Sequence, residues 1–516
     1  MSQIIKYPTG FSRAIIVITC IAASLLELVD TTIVNVSLKH IAGSIGASTT
    51  DVAWVITAYA ISNVIIIPMS SMLTELFGRR TYFTFSIALF TFASFMCGNS
   101  NTLIELVIWR FIQGLGGGAL LSLSQSILMQ SFPPEKVNLA SSIYGMGVAL
   151  GPALGPTLGG IITDNYSWQW IFYVNIPIGI LAIITSWMYV RDQVERIKPI
   201  IDWLGIIFLA VGIGAFQYVL EEGNSKNWFE DKNIVILSIV SVVGIISLVI
   251  RELNIKNPVV NLSLLKSKNL SIGIILNFCM MAILFISIYT FPLFVQMNLG
   301  WTASMTGIAL IPGAIVSAIG MVVCQKLMAK GANPTYLIMA GFAACFVFSF
   351  EFARQSPDSS WWGLFSPLIF RGISVGLYML PAITMAVTGF SGRDLGQAVG
   401  LSNMARQLGG AVGLALIGTQ ITNTQASTRV DLISNISDYK PAAAEAISQM
   451  NGLFQANGFD GESAHNATNS ILNMQVLQQS SILSYLESFR VMAIVSVIAF
   501  MLLLFTRKLI AQKINK

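Results

Sequence analysis

The chain alternates long apolar runs with short polar breaks, and the runs have the length of membrane crossings. Apolar stretches of about 20 residues, enough for a helix to span a hydrocarbon core about 30 Å thick, fall near 14–36, 52–74, 82–99, 103–129, 139–163, 169–190, 203–220, 234–250, 271–294, 303–325, 335–353, 362–389, 396–420 and 488–506. Fourteen spanning helices are therefore predicted. One break differs from the rest. Residues 421–487 are polar, rich in Asn, Gln and Ser, and are expected to form a loop outside the membrane, with a short amphipathic helix within 436–458.

The order of features repeats. Span four carries Arg110, Gly114 and a run of small residues, then a short loop and a Gly-rich fifth span. Span twelve carries Arg371, Gly372 and Gly376, then a short loop with Arg393 and a Gly-rich thirteenth span. The same sequence of elements thus recurs eight spans later. It predicts two six-helix bundles, residues 1–198 and 257–516, with two inserted helices in residues 199–256. Parallel repeats of this kind are a transporter architecture, with the substrate site between them near mid-membrane.

Within span five, Gly147, Gly151, Gly155 and Gly159 recur every four residues beside Gly160, and Pro152 and Pro156 keep the same rhythm. On a helix this places the glycines along one face. Such a stripe admits another helix at close range, and the prolines bend the span. Two readings stay open: a tight packing face, or a pliable helix at a moving interface.

Composition sharpens the class. The 516 residues are 54% hydrophobic and 10% charged, against about 25% charged in soluble domains, and the mean hydropathy is +0.73. The net charge of +5 comes without a basic cluster interleaved with aromatics, so no nucleic-acid partner is implied. Nineteen of the 29 Lys and Arg residues lie in loops on the side of both termini, against seven on the other side and three within spans. The positive-inside rule then puts both termini in the cytoplasm. The first apolar run is too long for a cleaved signal, which leaves a multi-pass protein of the cytoplasmic membrane in contact with the lipid bilayer. Cys20, Cys97, Cys279, Cys324 and Cys345 sit in or beside apolar stretches and read as small buried hydrophobes. The two histidines, His40 and His465, fall in predicted loops, so no metal site is expected.

Charges inside the membrane call for a partner and a reason. Glu27 and Asp30 lie three residues apart in span one, on one helix face. Asp30 and Arg110 each lie about two turns from the outer ends of their spans, so a pair between them is geometrically reasonable. That pair is either a fixed brace or a carboxylate whose proton comes and goes. Burial disfavours the charged acid while a guanidinium favours it, and those opposed effects suit a reversible proton carrier. Glu27 shares that role or faces the substrate. Arg371 and Arg406 find no carboxylate of matching depth in spans nine to thirteen; they bind carbonyls, reach Asp30 or Glu27 across a cavity, or attract an anionic substrate. Gln113, Gln125, Asn277, Gln296, Asn403 and Gln407 are candidates to line a polar cavity alongside them, or to form helix-to-helix hydrogen bonds. At the end of span two, Glu75, Gly78, Arg79 and Arg80 form a charged turn that suits a conformational latch, the acid pairing with an arginine or with a helix N-terminus.

These segments together resemble one family. LVDTTIVNVSL (28–38), SMLTELFGRR (71–80), WRFIQGLGGG (109–118), GVALGPALGPTLGG (147–160), WQWIFYVNIP (168–177), IDWLGIIFLAVGIG (201–214), FPLFVQ (291–296) and NMARQLGGAVG (403–413) are similar, in order, to the motifs of fourteen-span major facilitator drug:proton antiporters of the EmrB/QacA type, and most to the EmrB branch. Ser71 and Glu75 depart from the glycine and aspartate usual in the loop motif. The resemblance implies an all-α polytopic membrane protein of the major facilitator fold. It further implies multidrug efflux of hydrophobic, often cationic or amphipathic drugs driven by inward proton flow. Protons serve as coupling ion, with no other cofactor. The EmrB branch implies a periplasmic adaptor of the EmrA type and an outer-membrane channel. A dedicated exporter of one metabolite, lipid or siderophore on the same scaffold is the alternative. No enzyme is expected: there is no nucleophile–base set, and QGLGGG lies mid-span without the Lys-Ser/Thr that a phosphate loop needs.

Overall fold

The computed structural model describes residues 7–511 apart from 49–50, 134–135, 193–200, 256–257, 357–358, 360 and 437–439, and among the described residues there are helices and no strand. The first half comprises α1 (Gly10–Ile45), α2 (Trp54–Phe77), α3 (Arg79–Gly98), α4 (Leu103–Gln130), α5 (Val137–Asn165), the single turn α6 (Trp170–Tyr173) and α7 (Asn175–Tyr189). Helices α8 (Trp203–Glu222) and α9 (Lys232–Asn254) follow. The second half contains α10 (Lys268–Asn298), α11 (Ala303–Ala329), α12 (Pro334–Phe352), α13 (Trp361–Val387), α14 (Gly392–Asn435), α15 (Pro441–Ala456) and α16 (Gly461–Ala511). Local chemistry sets the boundaries. Thr102 and Thr302 cap α4 and α11 by accepting from the N–H groups of Glu105 and Met305, and Gly46 ends α1 in the left-handed region.

Twelve helical stretches among the described residues are long and apolar enough to cross a membrane, and they coincide with twelve of the predicted spans. The other two predicted spans are α5 and α14, the Gly-rich helices. Helix α14 carries buried Gln397, Ser402, Asn403 and Arg406. A helix walled in by others does not need to be apolar all round, so its composition understates its place in the bundle.

The helices of the two halves pack in a common order. In the first half α1 packs on α5 and α7, α4 on α2 and α3, and α3 on α7. In the second half α10 packs on α14 and α16, α13 on α11 and α12, and α12 on α16. The halves meet reciprocally, α5 against α11 and α2 against α14. Helices α8 and α9 form a peripheral hairpin, packed through Gly212 and Gly244, with α8 resting on α2.

The segment at 421–487, expected as a loop, is mostly helix. Helix α14 has 44 residues and α16 has 51, or about 66 and 76 Å at 1.5 Å per residue, far more than a bilayer core. Their extensions form an antiparallel pair joined by Arg429 to Asn473 at 3.1 Å. Helix α15 lies against α16, where the amphipathic pattern placed a short helix. No Gly or Pro interrupts the chain between 419 and 435, so α14 continues past the membrane.

Candidate functional site

Asp30 of α1 and Arg110 of α4 meet in the core of the first half. Arg110 Nη1 donates to Asp30 Oδ2 at 2.5 Å, and the side chains are 1% and 0% exposed. The other carboxylate oxygen accepts from Gln113 Nε2 at 2.9 Å and from Asn175 Nδ2 at 3.1 Å. All three partners are donors, the set that an ionised carboxylate satisfies. Arg110 also donates to the Val55 carbonyl at 3.0 Å and to Gln113 Oε1 at 2.7 Å, with its guanidinium 4.2 Å from the centre of the Tyr59 ring. The guanidinium therefore keeps partners when the acid is neutralised, whereas the acid would lose at least one.

Glu27 lies one helical turn away in a separate but adjoining set. Its carboxylate accepts from Asn63 Nδ2 at 3.1 Å and from the Leu121 N–H at 3.2 Å. Asn63 Nδ2 also reaches the Tyr59 hydroxyl at 3.5 Å, so Tyr59 joins the two carboxylates: its hydroxyl on the Glu27 side, its ring under Arg110. Tyr144 of α5 donates to the Leu121 carbonyl at 2.9 Å. Sequence reasoning missed Tyr59, Asn63, Tyr144 and Asn175. Tyr59 and Asn63 stand four apart, hence on one face of an apolar helix, which was the available signal.

The glycines of α5 face α1. A Cβ added at Gly147, Gly151 or Gly155 would come within 2.7 Å of Ile21, 2.6 Å of Leu28 and 1.8 Å of Thr32 respectively. Gly159, Gly160 and Pro156 are also buried, and the Gly159 carbonyl accepts from Thr163 at 2.7 Å; the side chain of Pro152 lies outside the described residues. The opposite side of α5 meets the other half. Thr157 lies against Gly307, and Ser304 donates to Asp164 at 2.7 Å. Helix α5 is thus both the tight partner of α1 and a contact between halves.

At the end of α2 the charged turn is assembled across the halves. Glu75 pairs with Arg393, from the first turn of α14, at 2.9 Å. Arg79 donates to Gln130. The Arg80 guanidinium lies over Trp187 at 4.0 Å, and the backbone N–H of Arg80 donates to Asp192 Oδ1 at 2.9 Å. Gly78 has φ +85 with the Asp192 carboxylate 3.1 Å from where its Cβ would be, so a side chain there is opposed twice. Nearby, Gly396 of α14 sits on Ser71 of α2.

The remaining candidates divide. Asn403 donates to Ser122 at 3.0 Å and to Gln125 at 3.4 Å, and Arg406 donates to Gln125 at 3.2 Å, so these three form a polar seam between halves. Gln113 belongs to the Asp30 set. Asn277 ties α10 to Ser402 at 3.2 Å and to its own helix at Gly273. Gln296 and Gln407 are half-buried. Arg371 donates to Ser287 at 3.1 Å and borders a small crevice between α5, α10, α11 and α13.

The geometry is that of two related bundles with buried charge at their core, and the sequence comparison decides the family: residues 20–414 match the Major Facilitator Superfamily. The chain belongs to this superfamily. It is 32% identical over 451 residues to the multidrug export protein EmrB of Escherichia coli strain K12, covering 86% of this chain and 87% of that one. It is 31% identical to the probable multidrug resistance protein EmrY of the same strain, over 97% and 96% of the two chains. These are relatives of the branch the ordered motifs resemble. A solved structure of a bacterial homologue of the human lysosomal transporter Spinster superposes with a TM-score of 0.58 at 14% identity, over 97% of this chain and 98% of that one, and carries the same fold. The chain is thus a multi-pass membrane transporter and not an enzyme.

Proposed function

We propose that this protein is a proton-coupled exporter of several hydrophobic or amphipathic compounds, working in the cytoplasmic membrane through fourteen spans with both termini inside. The observation that carries the reading is the Asp30–Arg110 pair, an acid held by three donors in a fully buried site. Intramembrane charges of this kind mark ion pathways. A proton arriving on Asp30 Oδ2 displaces Arg110, which falls back on the Val55 carbonyl and Gln113. Asp30 stands two residues from Thr32, against which Gly155 is packed. A shift of α1 is therefore passed to α5, and from α5 to α11 through Thr157 and Gly307. Loss of the Glu75–Arg393 contact then parts α2 from α14 on the cytoplasmic side. Drug enters against the polar seam of Gln125, Asn403 and Arg406, and a cationic drug favours the ionised acid. The names of the relatives EmrB and EmrY support a broad substrate range. In this reading the α14–α16 extension meets a periplasmic adaptor that leads to an outer-membrane channel.

The test is efflux of a panel of unrelated dyes by proteoliposomes under an imposed proton gradient. Several dyes should be concentrated, and collapse of the gradient should stop them. Transport of one compound alone establishes the dedicated exporter instead, and transport indifferent to the gradient removes proton coupling.

A further inference from the structure

Asp30 has two carboxylate oxygens, and the protein holds them unlike one another. Oδ2 faces the Arg110 guanidinium at 2.5 Å. Oδ1 accepts from two amides, Gln113 Nε2 at 2.9 Å and Asn175 Nδ2 at 3.1 Å. A side-chain amide can present a donor or an acceptor, so the group that fixes each amide decides what Oδ1 meets. Gln113 is fixed by Arg110, which donates to its Oε1 at 2.7 Å, and that hold ends when Arg110 leaves. Asn175 is fixed independently. Its Nδ2 also donates to Ser94 Oγ at 3.1 Å, and the single Ser94 hydroxyl proton is committed to the Phe172 carbonyl at 2.9 Å. Ser94 therefore accepts from Asn175, and the amide keeps its NH₂ toward Asp30 with or without Arg110. Asn175 and Ser94 are 2% and 0% exposed, so bulk solvent reaches neither bond. Asn175 and Phe172 belong to the segment WQWIFYVNIP, whose turn α6 thus sets the amide that α7 presents.

This chain of bonds decides where a proton can sit. On Oδ1 it would meet the N–H groups of Asn175 and Gln113, donor against donor in a buried site, which leaves polar groups unpaired. It would also leave Oδ2 as the carbonyl oxygen, a good acceptor that Arg110 could keep. On Oδ2 it turns the acceptor of Arg110 into a hydroxyl, and Arg110 gives way. The other titratable and charged groups nearby do not alter this choice. Glu27 of α1 has its own donors, Asn63 and the Leu121 N–H. Tyr59 of α2 lies beyond the guanidinium. Cys97 of α3 turns its Sγ to Gln113 Oε1 at 3.6 Å. On α6 the Tyr173 hydroxyl is spent on the Gly98 carbonyl at 2.9 Å. On α5 the acid is Asp164, at the outer end, where it accepts from Ser304.

We propose that Asn175, oriented by Ser94, is the positioning residue that directs the proton to Asp30 Oδ2, so that protonation and release of Arg110 are one event. This rests on the proton-coupled export reading above. The proton comes from outer solvent and turns the carboxylate into the acid at Oδ2. It is given up to the cytoplasmic side when Arg110 reclaims that oxygen. Without the Asn175 amide, Oδ1 has a free acceptor site, takes the proton while Arg110 stays, and α1 receives no signal.

The experiment uses the full-length protein in proteoliposomes, with ethidium as the dye and a pH indicator inside. The readouts are protons moved per ethidium under a proton gradient, and ethidium–ethidium counterflow without one. Asn175→Leu keeps the size and loses the amide. Gradient-driven accumulation should fall roughly tenfold, the loss of one hydrogen bond to a charged group, while counterflow stays within a few-fold. Ser94→Ala frees the amide to turn and should act in the same direction; it remains informative if Asn175→Leu does not fold. Ser94→Thr keeps the hydroxyl and should retain coupling. A third readout needs no turnover. The infrared carbonyl stretch of protonated Asp30, identified by its absence from Asp30→Asn/Arg110→Gln, should move to higher frequency in Asn175→Leu, because the carbonyl at Oδ1 loses a hydrogen bond. An unmoved stretch overturns the proposal whatever the transport result, and so does a folded Asn175→Leu protein with the wild-type number of protons per ethidium. Equal loss of accumulation and counterflow also overturns it, because Asn175 would then support the bundle and not the coupling. A stretch that moves as expected in a protein whose wild type accumulates no ethidium on the gradient would refute the export reading alone.

Discussion

Asp30→Asn is the sharpest perturbation of the proposed mechanism, and the structure says why it should be made in two forms. The substitution removes the counter-charge from a guanidinium that is 1% exposed. Breaking a buried pair by removing one partner costs about 3–5 kcal/mol. The amide cannot mend the geometry. Oδ1 receives two donors, Gln113 and Asn175, and Oδ2 receives Arg110, so whichever way the amide is turned, its NH₂ faces a donor. Arg110 keeps the Val55 carbonyl, Gln113 and the Tyr59 face, which places the loss near the lower bound, about 3 kcal/mol. A drop of that size alone could abolish transport. The double variant Asp30→Asn/Arg110→Gln removes both charges and should recover most of the stability. Thermal unfolding and dye accumulation driven solely by a proton gradient are measured on both. The single variant should be less stable and uncoupled, and the double variant stable and still uncoupled, with dye binding within a few-fold of wild type. Proton-driven accumulation by the double variant would refute the assignment of Asp30 as carrier and turn attention to Glu27.

Three further outcomes are expected. Glu75→Gln and Arg393→Gln each remove the same contact, in which Arg393 is 42% exposed; a pair of that kind is worth about 1 kcal/mol at most, so each should shift the conformational equilibrium roughly fivefold and slow turnover with little change in affinity. Wild-type turnover in both variants would remove the latch. Gly155→Ala puts a Cβ 1.8 Å from Thr32 Oγ1 and 3.1 Å from the Ile33 nitrogen and should lower both stability and transport, whereas Gly452→Ala, in the helix α15 with nothing within 4 Å, should stabilise by up to about 1 kcal/mol; thermal unfolding that ranks them the other way contradicts the packing described here. Replacing residues 425–480 by a short linker should reduce efflux from double-membraned cells while proteoliposome transport continues, and unchanged efflux in cells would show that no adaptor is engaged there.

What could be read from the sequence, and what could not, follows from how far each signal reaches along the chain. Asp30, Glu27 and Arg110 were visible because a charge in an apolar run stands out wherever its partner is. Their partners were less visible. Asn63, Tyr59 and Asn175 are side chains that any membrane helix uses for packing, and only the fold shows that they converge on the two acids. The Glu75–Arg393 pair was hidden for another reason: its members lie far apart in the chain, and the arginines next to Glu75 were the nearer suspects. Polarity misleads at 421–487, where it points to a loop and the chain is mostly helix. Polarity reports solvent, whereas the absence of Gly and Pro reports backbone, and the second signal was the one that determined α14. Arg371 was the opposite case. Its lack of a matching carboxylate was legible from the sequence, and the structure turns that lack into a location, a crevice bordered by both halves. Equivalent positions of the repeat are thus built differently in the two halves. In one half the arginine is paired with an acid of the chain. In the other it donates to a serine, Ser287, at 3.1 Å. Helix α5 lies between the two arginine sites, touching the Asp30 helix on one face and forming a wall of the Arg371 crevice on the other, so a movement at either would be felt at the contact between the halves.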